Sequence, residues 1–216
     1  MNNLKLVDAF TDFVEESTLP YRQFMSYYSC ALMEVETKFK VLNEQFSLYY
    51  DRNPIESIHT RIKSQSSIVR KLQKKNIPPT IPNIENNIFD IAGVRIVCSF
   101  VDDIYNLSKS FLNQDDIRLI EIKDYIQNPK ENGYRSLHLI IEIPIFLSDE
   151  KKWVKVEVQF RTIAMDFWAS LEHKIRYKKN LTSQKLEEID KELYECAKIC
   201  QQLDEKMEEI KSDIHK

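Results

Sequence analysis

Residues 152–161 alternate so as to put two kinds of side chain on two sides of one strand. Val154, Val156, Val158 and Phe160 make an apolar face; Lys155, Glu157, Gln159 and Arg161 make a polar one. A polar face can simply be a solvated one. This strand, however, ends in Arg161-Thr162 and leads directly into a mostly apolar helix containing Trp168, which argues against a mere sheet edge. Glu157 at its centre could orient or deprotonate a hydroxyl, or join a second carboxylate in holding a divalent cation. The candidate partner is Asp90, in the run Asp90-Ile91-Ala92-Gly93-Val94-Arg95 at the mouth of a hydrophobic strand. There a carboxylate is either a turn acceptor or a metal ligand. Magnesium takes one or two protein carboxylates and fills its shell with phosphate and water. Gly93 would let the backbone bend or be approached closely, and Arg95 points opposite to Val94 and Ile96.

Two further clusters are cationic. Lys130-Glu131-Asn132-Gly133-Tyr134-Arg135-Ser136-Leu137-His138 crowds polar and π-bearing side chains around a glycine. A tyrosine ring can stack on a base, and Lys, Arg and His can meet phosphates; a soluble loop leading into a strand would have similar composition. Arg61, Lys63 and Ser67 offer a guanidinium fork, a point charge and a hydroxyl near a helix start, which suits a polyphosphate. The plain alternative is a solvated strand edge with a capping serine. Glu172 and Arg176 form an i,i+4 pair worth only ~0.3 kcal/mol if exposed. Together the clusters imply phosphoryl-group chemistry with magnesium and two nucleotides.

Other chemistries are poorly supported. The chain of 216 residues has only two glycines, Gly93 and Gly133, and so lacks both a Walker A loop and a dinucleotide fingerprint. No His–Asp arrangement accompanies a serine or cysteine nucleophile. Cys30, Cys98, Cys196 and Cys200 form no CxxC pair, and they read as reduced thiols rather than zinc ligands. A net charge of −3 gives no support for an obligate nucleic-acid partner. There is no signal peptide and no apolar run near ~18 residues, so neither membrane nor secretion is expected and the cytoplasm is.

These side chains must be positioned by a mixed arrangement of elements. Leu4, Val7, Phe10 and Val14 predict a short amphipathic helix, and a longer one runs from Pro20 to about Tyr50. Asn53-Pro54-Ile55-Glu56 has the form of a helix start, whereas Ile58, Thr60 and Ile62 alternate like a strand. A helical turn followed by a short strand reconciles the two. A helix from Gln65 to Lys75 follows, then a proline-marked loop at Pro78, Pro79 and Pro82. Strands are expected at 94–99, 117–125, 134–143 and 152–161, with a helix from Asp102 to Leu112 and the last two strands antiparallel neighbours. Ala164, Trp168, Leu171 and Ile175 then mark a helix, and a polar turn runs from Lys178 to Ser183. Leu186, Ile189, Leu193, Cys196, Cys200, Leu203, Met207, Ile210 and Ile214 recur at threes and fours, about four heptads. Such a stripe packs either along its own domain or against another copy. The expected division is an N-terminal helical extension (1–52), a catalytic domain (53–180) and an oligomerisation helix (181–216).

With these motifs in order over about residues 54–180, the chain resembles the small alarmone synthetases, single-domain relatives of the RelA/SpoT (p)ppGpp synthetases. The matching stretches are Arg61-Ile62-Lys63 with Ser67, Asp90 to Arg95, Lys123 to Ile126, Pro129 to His138, Glu157 to Thr162, and Trp168 through Lys178. The wording of the last stretches leans toward the RelP branch. The resemblance implies an α+β fold, a mixed sheet flanked by helices related to nucleotidyltransferases. It implies transfer of the β,γ-pyrophosphate of ATP to the 3′-hydroxyl of GDP or GTP. By the same resemblance Arg61 and Arg95 flank adenine, and Lys63 and Ser67 hold ATP phosphates. Asp90 binds Mg2+, and Tyr134 stacks on guanine. Lys130 and His138 meet acceptor or transferred phosphates, Glu157 activates the hydroxyl or shares the metal, and Gln159 and Arg161 position acceptor and phosphates. It further implies a homotetramer built through terminal helices, and synthesis without hydrolysis, since the length leaves no room for the hydrolase domain of long relatives. Two readings from other classes stay open beside it: a nucleotidyltransferase that attaches a nucleotide to RNA or protein, and a nonenzymatic nucleotide-binding module.

Overall fold

In the computed structural model residues 18–49, 52–176 and 183–214 are described. The helix expected at Leu4–Val14 and the turn from Lys178 lie outside them. The order is α1 (Thr18–Tyr49), β1 (Ile55–Ile62), α2 (Gln65–Lys74), α3 (Ile81–Asn87), β2 (Ala92–Cys98), α4 (Val101–Leu112), β3 (Arg118–Asp124), β4 (Leu137–Phe146), β5 (Lys151–Thr162), α5 (Ile163–Arg176) and α6 (Ser183–Ile214).

The strands form one sheet in the order β1-β2-β5-β4-β3. β2 and β5 run parallel at its centre, and the other neighbours are antiparallel, so the sheet is mixed. Valine and isoleucine alternation supplies its inner face: Val94, Ile96, Val156, Val158 and Phe160 are buried against helices. α1 belongs to that same core through Phe24, Tyr28, Ala31, Val35 and Phe39. Phe39 stacks on Phe111 of α4 at 4.5 Å between centroids and meets Phe160 of β5 edge-on at 5.7 Å. Each such ring removed from water contributes about 2–3 kcal/mol before packing geometry is counted. The segment that looks like an N-terminal extension in sequence thus packs with α4 against one side of the sheet and is part of its core.

Four local expectations are corrected. No helical turn opens at Asn53: the Asn53 Oδ1 accepts from the Ile55 N–H at 3.0 Å, and the chain enters β1 at once. The antiparallel ladder to β2 along Ile55–Ile62 outweighs the local capping signal. The proline-marked loop contains α3, which Thr80 caps by accepting from the Asn83 N–H, with proline in the first turn where its missing N–H costs nothing. Pro144 lies inside β4 rather than in a connection. Pairing of β4 with β3 stops at Glu142, so Pro144 faces only β5 and its lack of a donor is tolerated. That strand also begins at Leu137, three residues later than the alternation suggested, because Tyr134–Ser136 belong to the loop.

Candidate active site

The open face of the sheet is built from strand register. Arg61, Gly93, Glu157 and Ile140 pair in one row across four strands. His59, Arg95, Gln159, His138 and Lys123 pair in the next. Directly paired residues share a face, so these two rows, two residues apart along the shared strands, bring residues as far apart in sequence as His59 and Gln159 to a common surface.

Glu157 lies at the centre of this surface with 14% of its side chain exposed. Its Oε2 accepts from the Gln159 amide at 2.7 Å, and its Oε1 lies 3.4 Å from His138 Nδ1. Burial pushes the carboxyl up, but His138 and Gln159 outweigh it and the net position is below the usual 4.5. Asp90 precedes β2 and bonds two ammonium groups, Lys63 at 2.8 Å and Lys71 at 2.9 Å. Burial again pushes upward, and the two lysines hold the carboxyl below its ordinary 3.8. The charge of Asp90 acts on Glu157 in the raising direction, so the two carboxylates are electrostatic neighbours.

From Glu157 a polar chain crosses the surface. His138 Nε2 meets the Tyr134 hydroxyl at 2.9 Å, and that hydroxyl accepts from Arg161 at 2.9 Å. With its hydrogen on Nδ1, His138 accepts from the Tyr134 hydroxyl at Nε2. Arg161 also donates to Gln159 and, at 2.9 Å, to Asp166 Oδ1. The same oxygen accepts from Arg95 at 3.0 Å. Lys130 stands over the rings of Tyr125 and Tyr134, 4.5 and 4.8 Å from their centroids. Arg61, Arg95 and Gln159 line one recess beside Gly93. A Cβ on Gly93 would meet the Arg61 side chain at 3.5 Å, ordinary contact, so Gly93 lets Arg61 lie across the sheet without being forced by a clash.

The sequence-derived candidates therefore meet on one face, with a difference at Ser67. Ser64 caps α2, and Ser67 sits in the first turn, its hydroxyl 2.9 Å from that of Ser64. Two further polar residues emerge from the geometry. Lys71 follows Ser67 by one helical turn, a spacing that could have revealed it. Asp166, five residues after Arg161, carries no motif of its own; only the fold brings Arg95 to it.

Comparison with known proteins shows the family and the architecture. The model of the region found in RelA/SpoT proteins matches residues 60–182, and the chain belongs to that family. YwaC, a GTP pyrophosphokinase of Bacillus subtilis, is 50% identical over 187 residues, 87% of this chain and 88% of its own. YjbM, another GTP pyrophosphokinase of that organism, is 36% identical over 200 residues, 93% and 89% respectively. The crystal structure of B. subtilis small alarmone synthetase 1 bound to its product pppGpp has a TM-score of 0.82 and 35% identity, covering 91% of this chain and 99% of that one. The match across nearly the whole of the small relatives puts the chain among the small members of the family, with greater identity to YwaC than to YjbM. Its mixed sheet flanked by helices is the architecture of that structure.

Proposed function

We propose that the chain is a (p)ppGpp synthetase, a transferase that moves the β,γ-pyrophosphate of ATP to the 3′-hydroxyl of GDP or GTP and releases AMP. The observation that carries this reading is the pair of ionised carboxylates, Asp90 and Glu157, set between a lysine- and arginine-lined side and the Tyr134 loop.

In this reading Arg61 and Arg95 flank adenine, while Lys63 and Ser67 take the donor phosphates, joined by Lys71, which lies 2.9 Å from Asp90. Tyr134 stacks on guanine, and Lys130, His138, Gln159 and Arg161 hold the acceptor and the transferred group. Glu157, kept ionised by its neighbours, activates the 3′-hydroxyl. The 3′-oxygen bonds to the β-phosphorus as the bond from that phosphorus to the α,β-bridging oxygen breaks; the electron pair leaves with AMP. Most of the rate comes from alignment and fixed cations rather than from covalent chemistry.

Asp90 and Glu157 suit Mg2+. They are hard-oxygen donors, both held ionised, and a cation held by them would offset the charge that Asp90 exerts on Glu157. Phosphate and water oxygens would complete the shell of an ion held by these two carboxylates. When bound there, the ion supplies charge neutralisation at the transferred phosphates.

Among the described residues no helix is long and apolar enough to cross a membrane, and cytoplasmic work on ATP and GDP or GTP fits this. Synthesis without hydrolysis fits the relatives, both named for synthesis and both matched over most of their length. A homotetramer through the terminal helices fits the outward stripe of α6, where Leu203, Met207 and Ile210 are exposed.

The test is incubation with γ-labelled ATP and GDP or GTP, resolved by chromatography. Label should enter the guanosine nucleotide with the unaltered protein, and fall by about a hundredfold or more with Glu157→Gln and Asp90→Asn. AMP attached to a macromolecule would favour the nucleotidyltransferase alternative. Equal activity in Glu157→Gln would sink the role given to that residue.

A further inference from the structure

The inner face of α6 does more than cover the fold. Where Asp204 faces the body of the protein it meets Arg135 at 2.9 Å, and the two side chains are only 5% and 9% exposed. Arg135 directly follows Tyr134 in the loop ahead of β4. Thr162, the residue after Arg161 and the last of β5, also acts on Asp204, in the direction that favours its charged form. One helical carboxylate therefore reaches both segments that carry acceptor-side groups.

Other contacts on the same face act with it. Gly133, at φ +83°, comes so close to α6 that a Cβ there would lie 2.5 Å from the Cβ of Ala197. Trp168 of α5 donates its indole N–H to the Leu193 carbonyl at 2.8 Å. The Tyr134 ring packs on the small apolar cluster of Trp168, Leu193, Ala197 and Cys200. Arg135 is a costly choice for a merely structural filler. Its Nε is buried with no hydrogen-bond partner, and burial of a charged pair often stabilises no more than apolar residues of the same volume would. What a buried ion pair does supply is a fixed register between the two segments that carry it.

We infer that Asp204 is a positioning residue for the acceptor nucleotide: through Arg135 it holds the Gly133–Tyr134 turn in the conformation that receives the guanosine base. The inference rests on the proposed synthetase activity and deepens it, assigning to the C-terminal helix one wall of the acceptor site. The donor-side groups Arg61, Lys63, Lys71 and Asp90 lie on β1, the link that follows it, α2 and the segment before β2, apart from the Asp204–Arg135 pair.

The test is steady-state kinetics of the full chain with Asp204→Asn and with the double variant Arg135→Gln/Asp204→Asn, varying ATP and the acceptor separately. The double variant removes both charges, so it keeps the measurement possible should a lone buried guanidinium unfold the single one. Asp204→Asn, or the double variant where only that one folds, should raise KM for GDP or GTP by about tenfold or more while KM for ATP moves by less than about twofold. Each folded variant is first checked for an unchanged far-ultraviolet spectrum. An unchanged acceptor KM, or a parallel rise in both constants, overturns the inference. So does loss of the fold in both variants, which would make the pair a folding element. If the unaltered protein forms no pyrophosphorylated guanosine nucleotide, the synthetase reading itself fails, an outcome distinct from either.

Discussion

Asp90 carries a charge on which burial and its neighbours act in opposite directions. Burial favours the neutral acid, whereas Lys63 and Lys71 hold the carboxyl below its ordinary 3.8. A carboxylate depressed on folding contributes stability that is present above its unfolded value and lost as pH falls through the folded one. Asp90→Asn should therefore destabilise the protein near neutral pH by roughly 1–2 kcal/mol, mostly through the Lys63 pair. The Lys71 share is smaller because that side chain is 40% exposed and screened. Thermal unfolding of both proteins from pH 7 downward checks this: the gap should close as pH passes below 3.8. A gap independent of pH would mean that the lysines do not set the charge of Asp90. The residues of this site were legible in sequence where charges filled the polar side of an alternating strand, as at Glu157 and Arg161. Asp166 was not, because a single acid in the first turn of a helix is common, and its meaning comes from Arg95, which lies 71 residues away along the chain.

At the scale of elements, α6 departs from the simple heptad expectation. Its stripe divides into two faces. Leu193 and Cys200 are buried against the body together with Ala197 and Asp204, residues off the strict repeat. Cys196, Leu203, Met207, Ile210 and Ile214 are exposed. Both outcomes foreseen for the stripe, packing at home and facing outward, thus apply to different parts of one helix. The inner face makes Gly133 indispensable: its φ of +83° disfavours any side chain, and Ala197 occupies the space a Cβ would need. Gly133→Ala should cost about 2–3 kcal/mol. Adding Ala197→Gly should recover the part due to the clash and leave the part due to the backbone. Denaturant midpoints of the three proteins measure both shares, and a double variant no more stable than Gly133→Ala would remove the clash from the account.

For the whole molecule, the proposal of assembly places a demand on the outward stripe of α6. Ile199, Leu203, Met207, Ile210 and Ile214 follow one another at threes and fours, with exposures from 46% to 75%. A repeating apolar stripe of this length is a common basis for helix pairing. Leu203→Glu/Met207→Glu should therefore reduce the mass in solution, measured by light scattering, while leaving the far-ultraviolet spectrum of the folded chain intact. An unchanged mass would assign assembly to other surfaces.

What the sequence alone determined was the local periodicity: which segments alternate by two, which by three and four, and which charges break the pattern. Those features follow from steric and solvation rules acting over a few residues, so they placed β2, β5, α4 and α6 closely and marked the polar face of β5. The family resemblance, also legible in sequence, named the chemistry. The tertiary structure decided what depends on distant partners. The ladder to β2 turned a helix signal at Asn53 into a strand, and β3 stopping at Glu142 allowed Pro144 inside β4. The parallel pairing of β2 with β5 set Glu157 beside Gly93, and the close pass of α6 joined Asp204 to the Tyr134 loop. Register and burial arise from segments meeting in space, and no window of local sequence contains both partners.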